Sequence, residues 1–371
     1  MTYSDKKILI IINNLGIGGA ERLVIDDINE MIKLGINVKL ITLKSEKKAT
    51  LKDGLFLDQK NWLPIPFNGF YDIKHWLDLI KEIKRYKPAV VFTHLWFGTI
   101  VGVLASYFAR VPLIISFEHG IPHLRKKLKN FLVELISHFF SDKIIAVSQD
   151  TKKELMRYHG VKENKIKVVI NGIDIEKFSK ALPSDVREEY GLKDEFIFLS
   201  VGSLRSKQKN FDTLIRALAL TEKGVLVIAG DGVEMPNLKK LANDLKVQER
   251  VYFLGNRKDI PQLLKSADCF VLVSRYESLG IVVLEAMAAG KPIIVSNFGP
   301  SKEMIENERN GLVVPINDIR ALSNALKRIE EEPELRYCLA QEAEKDSVRF
   351  SVQNHVSSLL GQSFNDMNVL K

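Results

Sequence analysis

Two glutamates, Glu277 and Glu285, stand in ESLGIVVLE with seven residues between them, directly after the apolar run CFVLVS (Cys269–Ser274). The run predicts a buried strand, and EAMAAGKP (Glu285–Pro292) predicts a helix ending at Gly290 with a proline behind it. One carboxylate therefore falls at a strand-to-helix turn and the other inside the following helix. Carboxylates accept hydrogen bonds from sugar hydroxyls, N–H groups at a helix start receive phosphates, and open α/β sheets bind ligands at that edge. The chemistry this stretch suits is a grip on a phosphorylated sugar.

Other candidates fall at the ends of other predicted strands. VGSLRSKQKNF (Val201–Phe211) brings Arg205, Lys207 and Lys209 to a strand end, where cations can stabilise a departing diphosphate; exposed loop cations would look the same. EHGIP (Glu118–Pro122) puts His119 just past the strand LIISF, facing a cleft or lying on a surface loop. In NNLGIGGAERL, Gly16, Gly18 and Gly19 let the backbone turn tightly near a ligand, or serve the turn alone. A dinucleotide fingerprint is disfavoured there. Glu21 stands where a small residue is needed, and Thr42-Leu43-Lys44 follows the second strand where an acid is needed. AGDG (Ala229–Gly232) and FGPSKEM (Phe298–Met304) add turns at the same edge, the latter carrying Glu303 near a helix start.

No Asp-x-Asp occurs in the chain, and no His, Cys and carboxylate cluster has metal-ligand spacing. The expectation is that no metal or other cofactor is used, and that N–H groups and cations hold any diphosphate.

What must position these residues is read from the apolar runs. Strands are predicted at Lys7–Ile12, Asn37–Thr42, Ala89–Phe92, Leu113–Phe117, Lys143–Val147 and Lys167–Ile170. A second series covers Phe196–Val201, Val225–Ala229, Val251–Leu254, Cys269–Val273 and Pro292–Ser296. Alternation with helical patterns implies parallel sheets covered on both faces. The polar stretch Ser179–Glu195 separates the series, which predicts domains at 1–185 and 186–349 and a helical tail at 350–371 that packs back on the first domain. Val90–Ala109 is long enough for a membrane span, but His94 and Gly98 divide it into a buried strand and a buried helix (Phe97–Arg110).

The 371 residues carry a net charge of +8, and two unpaired-looking cysteines, Cys269 and Cys338, fit a reducing cytosol. No signal peptide is read at the start. HLRKKLKNFLVELISHFF (His123–Phe140) has one apolar helical face, with Arg125, Lys126, Lys127 and Lys129 crowding its first turns. Cations are disfavoured there by the helix dipole. They suit an anionic membrane surface or a phosphate, or form the solvated end of a core helix. No nucleic-acid motif is present, so nucleic acid is not an expected partner.

Taken together these residues resemble the retaining glycosyltransferases of family 4, which have the GT-B fold. The resemblance runs from about Lys7 to Phe350, with RYESLGIVVLEAMAAGKPIIVSNFGPSKEMI as its most specific part and GGAERL, AVSQDTKKEL, NGID, AGDG and NGLVV in the expected order. It implies two Rossmann-like doubly wound domains facing across a cleft. It also implies a hexosyltransferase that moves a sugar from a nucleotide-sugar, UDP-linked, to a lipid-linked oligosaccharide, lipopolysaccharide or other surface glycan at the cytoplasmic face of the membrane. By resemblance, Glu285 holds the donor's ribose and Glu277 the transferred sugar. Ser278, Leu279 and Gly280 contribute backbone contacts, Lys209 binds the diphosphate, His119 lines the reaction site, and Gly18 and Gly19 approach the phosphates. The family commonly has arginine where Ser203 stands, and Arg205 is the candidate to replace it. A GT-B nucleotide-sugar epimerase and a non-catalytic nucleotide-sugar-binding protein are the alternatives.

Overall fold

A computed structural model describes residues 6–16, 18–45, 51–120 and 135–369. The chain divides into two compact units, Met1–Gly172 with Val352–Lys371, and Ile173–Ser351.

The first unit is built on seven strands: β1 (Lys7–Ile12), β2 (Asn37–Thr42), β3 (Trp62–Pro64), β4 (Val90–Thr93), β5 (Ile114–Glu118), β6 (Lys143–Ala146) and β7 (Ile166–Val168). They form one sheet in the order β3-β2-β1-β4-β5-β6-β7, and every pairing is parallel. The central strands are predominantly apolar because both faces are covered. Helix Gly19–Lys33 and the last helix, Val352–Val369, share a core with Ile8, Ile10, Ile12 and Phe92 through Val24, Ile28, Val356, Leu359 and Leu360. Helices Ile73–Tyr86 and Trp96–Phe108 cover the other face with Leu79, Ile83, Phe97 and Val101 against Leu9 and Ile11. The apolar stretch Val90–Ala109 is thus a strand and a buried helix, and among the described residues no helix is long and apolar enough to cross a membrane.

The second unit has six parallel strands: β8 (Ile197–Val201), β9 (Val225–Ala229), β10 (Val251–Gly255), β11 (Cys269–Leu272), β12 (Ile293–Ser296) and β13 (Leu312–Val314). Their order is β10-β9-β8-β11-β12-β13. Phe198, Leu226, Ile228, Val271 and Ile294 pack against Leu214, Leu218, Leu322 and Leu326 from its helices.

The first unit ends at Gly172, ahead of the 185/186 boundary expected from composition. The polar stretch is anchored to the second unit. Ser184 N donates to Ser266 Oγ at 2.7 Å, Arg187 pairs with Asp268 at 2.9 Å, and Val186 is buried. Helix Ile175–Ser179 packs on helices Ile260–Ser266 and Ile281–Ala288 of the same unit. The chain returns to the first unit at Val352, where the boundary was expected at 349/350.

In each sheet the strand order reverses direction at one point, between β1 and β4 and between β8 and β11. Crevices at the carboxyl ends of such strands bind ligands in open α/β sheets. The four loops that leave those strands hold most of the candidate residues.

Candidate active site

In the second unit, β8 leads through Gly202–Ser206 into a short 3-10 turn, Lys207–Lys209, and then into helix Phe211–Leu218. β11 leads through Val273–Gly280 into helix Ile281–Ala288. Because β8 and β11 are sheet neighbours, these two loops lie side by side. Lys209 Nζ reaches Glu277 Oε1 at 2.6 Å, and Ser274 Oγ donates to the same oxygen at 2.6 Å. Gln208 Nε2 donates to the Tyr276 carbonyl at 3.1 Å and lies 3.5 Å from Glu277 Oε2. Both charges are largely withdrawn from water, with side chains 15% exposed for Lys209 and 8% for Glu277. The lysine stem lies across Gly202, where a Cβ would sit 2.9 Å from Lys209 Cε.

Asn210 fixes this junction. It adopts φ +58°, a conformation Asn tolerates better than most residues, and it is buried. Its Nδ2 donates to the Val273 carbonyl at 3.0 Å, and its Oδ1 accepts from Arg275 Nε at 2.9 Å and Thr213 Oγ1 at 2.9 Å. Arg275 also pairs with Asp212, and its N–H donates to the Gln208 carbonyl. Ser274, Gln208, Asn210 and Arg275 escaped the sequence reading. Their signal was adjacency to Glu277 and Lys209 on loops whose contact depends on strand order.

Gly280 opens the second helix at φ +92°, a region that strains any side chain, and a Cβ there would press on Phe298 at 3.3 Å. Leu279 is buried as a core side chain, so only its backbone faces outward chemistry; Ser278 is half-buried. Glu285 lies within the helix IVVLEAMA at 2% exposure. Ser203 and Arg205 are exposed on the loop after β8, and among the described residues the Arg205 guanidinium has no hydrogen-bond or ion-pair partner. AGDG has a backbone explanation: a Cβ on Gly230 would fall 1.8 Å from the Gly202 carbonyl oxygen, and one on Gly232 2.2 Å from the Leu204 carbonyl carbon. These glycines let one strand-end loop lie against the other.

In the first unit, Gly18 caps helix Gly19–Lys33 in extended conformation, and Gly19 is exposed. A Cβ on Gly18 would lie 2.3 Å from Glu21 Oε2. The Glu21 carboxylate therefore sits over the glycine where an anion would approach the helix start. His119 follows β5 and is half-buried, with Nε2 2.9 Å from Nδ1 of His94. His94, which the sequence reading used only to interrupt an apolar stretch, follows β4 and is 1% exposed. Burial drives its pKa well below the usual 6.5, and the neighbouring His119 and His355 push the same way. His355 is buried too. Burial works against its charge, but the Asp27 carboxylate 3.3 Å away and the Ile170 carbonyl prevail and raise its pKa.

Arg125, Lys126, Lys127 and Lys129 lie outside the described residues. Among the described residues no three His, Cys, Asp or Glu side chains gather as a metal ion would need.

Comparison with known proteins agrees with this layout. Residues 17–177 match the model of Glycosyltransferase Family 4, and residues 184–346 that of Glycosyl transferases group 1. The chain is 32% identical over 275 residues to the Escherichia coli UDP-Gal:alpha-D-GlcNAc-diphosphoundecaprenol alpha-1,3-galactosyltransferase, covering 70% of this chain and 71% of that one. It is 28% identical over 329 residues to the Campylobacter jejuni N,N'-diacetylbacillosaminyl-diphospho-undecaprenol alpha-1,3-N-acetylgalactosaminyltransferase, covering 84% and 87%. Among solved structures, Anabaena HepE in complex with UDP and glucose superposes with a TM-score of 0.84 over 96% of this chain and 99% of that one, at 24% identity. That likeness establishes a common fold.

Proposed function

The chain belongs to glycosyltransferase family 4, and we propose that it moves a sugar from a UDP-sugar to a lipid-linked or surface-polysaccharide acceptor with retention of anomeric configuration. The observation that carries this reading is the Lys209–Glu277 pair at the carboxyl ends of β8 and β11, at the switch point of the second sheet. A cation for a diphosphate and a carboxylate for sugar hydroxyls stand together where ligands bind such sheets. The names of the E. coli and C. jejuni relatives, both with acceptors on diphosphoundecaprenol, support the lipid-linked acceptor.

In this reading Glu285 accepts hydrogen bonds from the ribose hydroxyls, and Glu277 accepts from hydroxyls of the transferred sugar. The N–H groups of Ser278, Leu279 and Gly280, at a helix start, face the sugar and diphosphate. Lys209 and Arg205 neutralise the diphosphate, with Arg205 serving in place of an arginine at Ser203. No metal is required, because cations and N–H groups supply the positive charge. His119, Gly18 and Gly19 are the first unit's candidate groups for the reaction, His119 as a reaction-site side chain and the two glycines as backbone contacts to phosphate. The acceptor hydroxyl oxygen bonds to the anomeric carbon on the face that the phosphate oxygen leaves. Its proton passes to that departing oxygen, giving the α-glycoside and UDP. The enzyme would work at the cytoplasmic face of the membrane, held peripherally by Arg125, Lys126, Lys127 and Lys129.

The test is to incubate the protein with a panel of UDP-hexoses, with and without GlcNAc-diphosphoundecaprenol. Release of UDP that depends on the acceptor, with an α-linked product by NMR, is expected. Conversion of a donor to its epimer without acceptor would instead mark an epimerase.

A further inference from the structure

We propose that His94 is a positioning residue that fixes the ring orientation and protonation site of His119. The proposal rests on the reading of His119 as a reaction-site group.

His94 is held from several sides. Its N–H donates to the Ile11 carbonyl at 2.9 Å, tying it to β1, and it precedes Leu95, which takes φ +63° before helix Trp96–Phe108 begins. A bulky residue at that φ is strained, and such conformations persist only where the surroundings impose them. The His94 ring stacks on Phe117 with centroids 4.3 Å apart and planes 25° from parallel. It stacks on His119 at 5.2 Å and 23°, and Phe117 and His119 lie within 14° of parallel. The three rings form one layer across the ends of β4 and β5.

Within this layer His94 Nδ1 and His119 Nε2 share a hydrogen bond at 2.9 Å. Such a bond needs one N–H and one lone pair, so the proton's place on one ring dictates its place on the other. Burial opposes a charge on His94, and the neighbouring His119 and His355 oppose it further. It therefore stays neutral, and in the Nε2–H tautomer that a neutral imidazole prefers it offers the Nδ1 lone pair. His119 carries its proton on Nε2, whether neutral or charged, and the ring keeps one edge toward its surroundings. A metal-bound histidine is commonly fixed by the same kind of outer hydrogen bond.

The test reads histidine ring nitrogens in the full-length, ¹⁵N-labelled protein by long-range proton–nitrogen NMR. Wild-type protein should show one His119 tautomer, protonated at Nε2. His94→Phe, which keeps the ring layer but lacks the lone pair, should give exchange-averaged nitrogen shifts of a mixed population. His94→Gln, whose side-chain oxygen can accept, should restore the single tautomer. Turnover of a UDP-hexose in His94→Phe should fall by about 10- to 100-fold with its KM unchanged, as for a misplaced reaction-site group. An unchanged His119 spectrum in His94→Phe overturns the proposal. Should that variant not fold, a mixed tautomer in wild type or in His94→Gln overturns it. Full turnover in His119→Ala would refute the role of His119 itself, without touching the spectroscopic result.

Discussion

Replacing Lys209 by methionine tests whether the second unit is built around a charge pair. Methionine keeps an unbranched apolar stem across Gly202, with sulfur in place of one methylene, and removes the ammonium. Glu277 would then be left 8% exposed without its cation. Removing one partner of a buried ion pair costs about 3–5 kcal/mol, because the other charge stays buried. Two features of the site reduce that figure. Ser274 Oγ still donates to Glu277 Oε1, a hydrogen bond to a charge of the kind that contributes about 1.5–3 kcal/mol, and the Lys209 side chain is itself 15% exposed. The expected loss is about 2–3 kcal/mol. For a unit of this size each kcal/mol lowers Tm by about 2–4 °C, so calorimetry on the full chain should show a drop of about 4–12 °C. In a Glu277→Gln background the same substitution should cost less than about 1 kcal/mol, since no buried charge remains to be orphaned; the double-mutant cycle isolates this coupling. A Tm that is unchanged or raised in Lys209→Met would refute the reasoning. So would an equal cost in both backgrounds.

Three further outcomes are expected. Glu285→Ala should weaken UDP binding by about 100-fold in calorimetric titration, the loss of roughly 3 kcal/mol of hydrogen bonding to a charged group, and wild-type affinity would remove Glu285 from the donor site. His355 is raised above 6.5 by Asp27, so its stabilisation is fully present below about pH 6.5 and is lost as the pH rises through its folded value. The Tm advantage of wild type over His355→Gln should therefore shrink as the pH rises above about 6.5, and a difference that stays constant into alkaline pH would contradict the charged pair. Replacing Arg125, Lys126, Lys127 and Lys129 with glutamine should reduce cosedimentation with anionic vesicles by about three orders of magnitude, at roughly 1 kcal/mol per basic residue. Partitioning equal to wild type would exclude that segment from membrane binding.

The long strands were legible because parallel strands covered on both faces are near-continuous apolar runs, as β1, β8 and β9 are. β3 and β13 were missed: three residues at a sheet edge are too few to carry a pattern, and β3 is half-exposed. The unit boundary was misplaced because polarity marks solvent contact, and Ser184 and Arg187 are polar residues bonded to their own unit.

At the site, the spacing of Glu277 and Glu285 and the strand-end position of Lys209 determined which residues could meet a ligand. A side chain just past an apolar run must emerge at the edge of a sheet, whatever the strand order. Tertiary structure alone decided that Lys209 meets Glu277 across 68 residues, because β11 pairs with β8 and not with β10, which precedes it in sequence. It likewise decided that His94 meets His119, since β4 and β5 are neighbours, and that the last helix returns to the first unit. Local sequence sets where a strand stops; which stops lie side by side follows from how the crossovers pack, and that is settled by contacts distributed over the whole sheet.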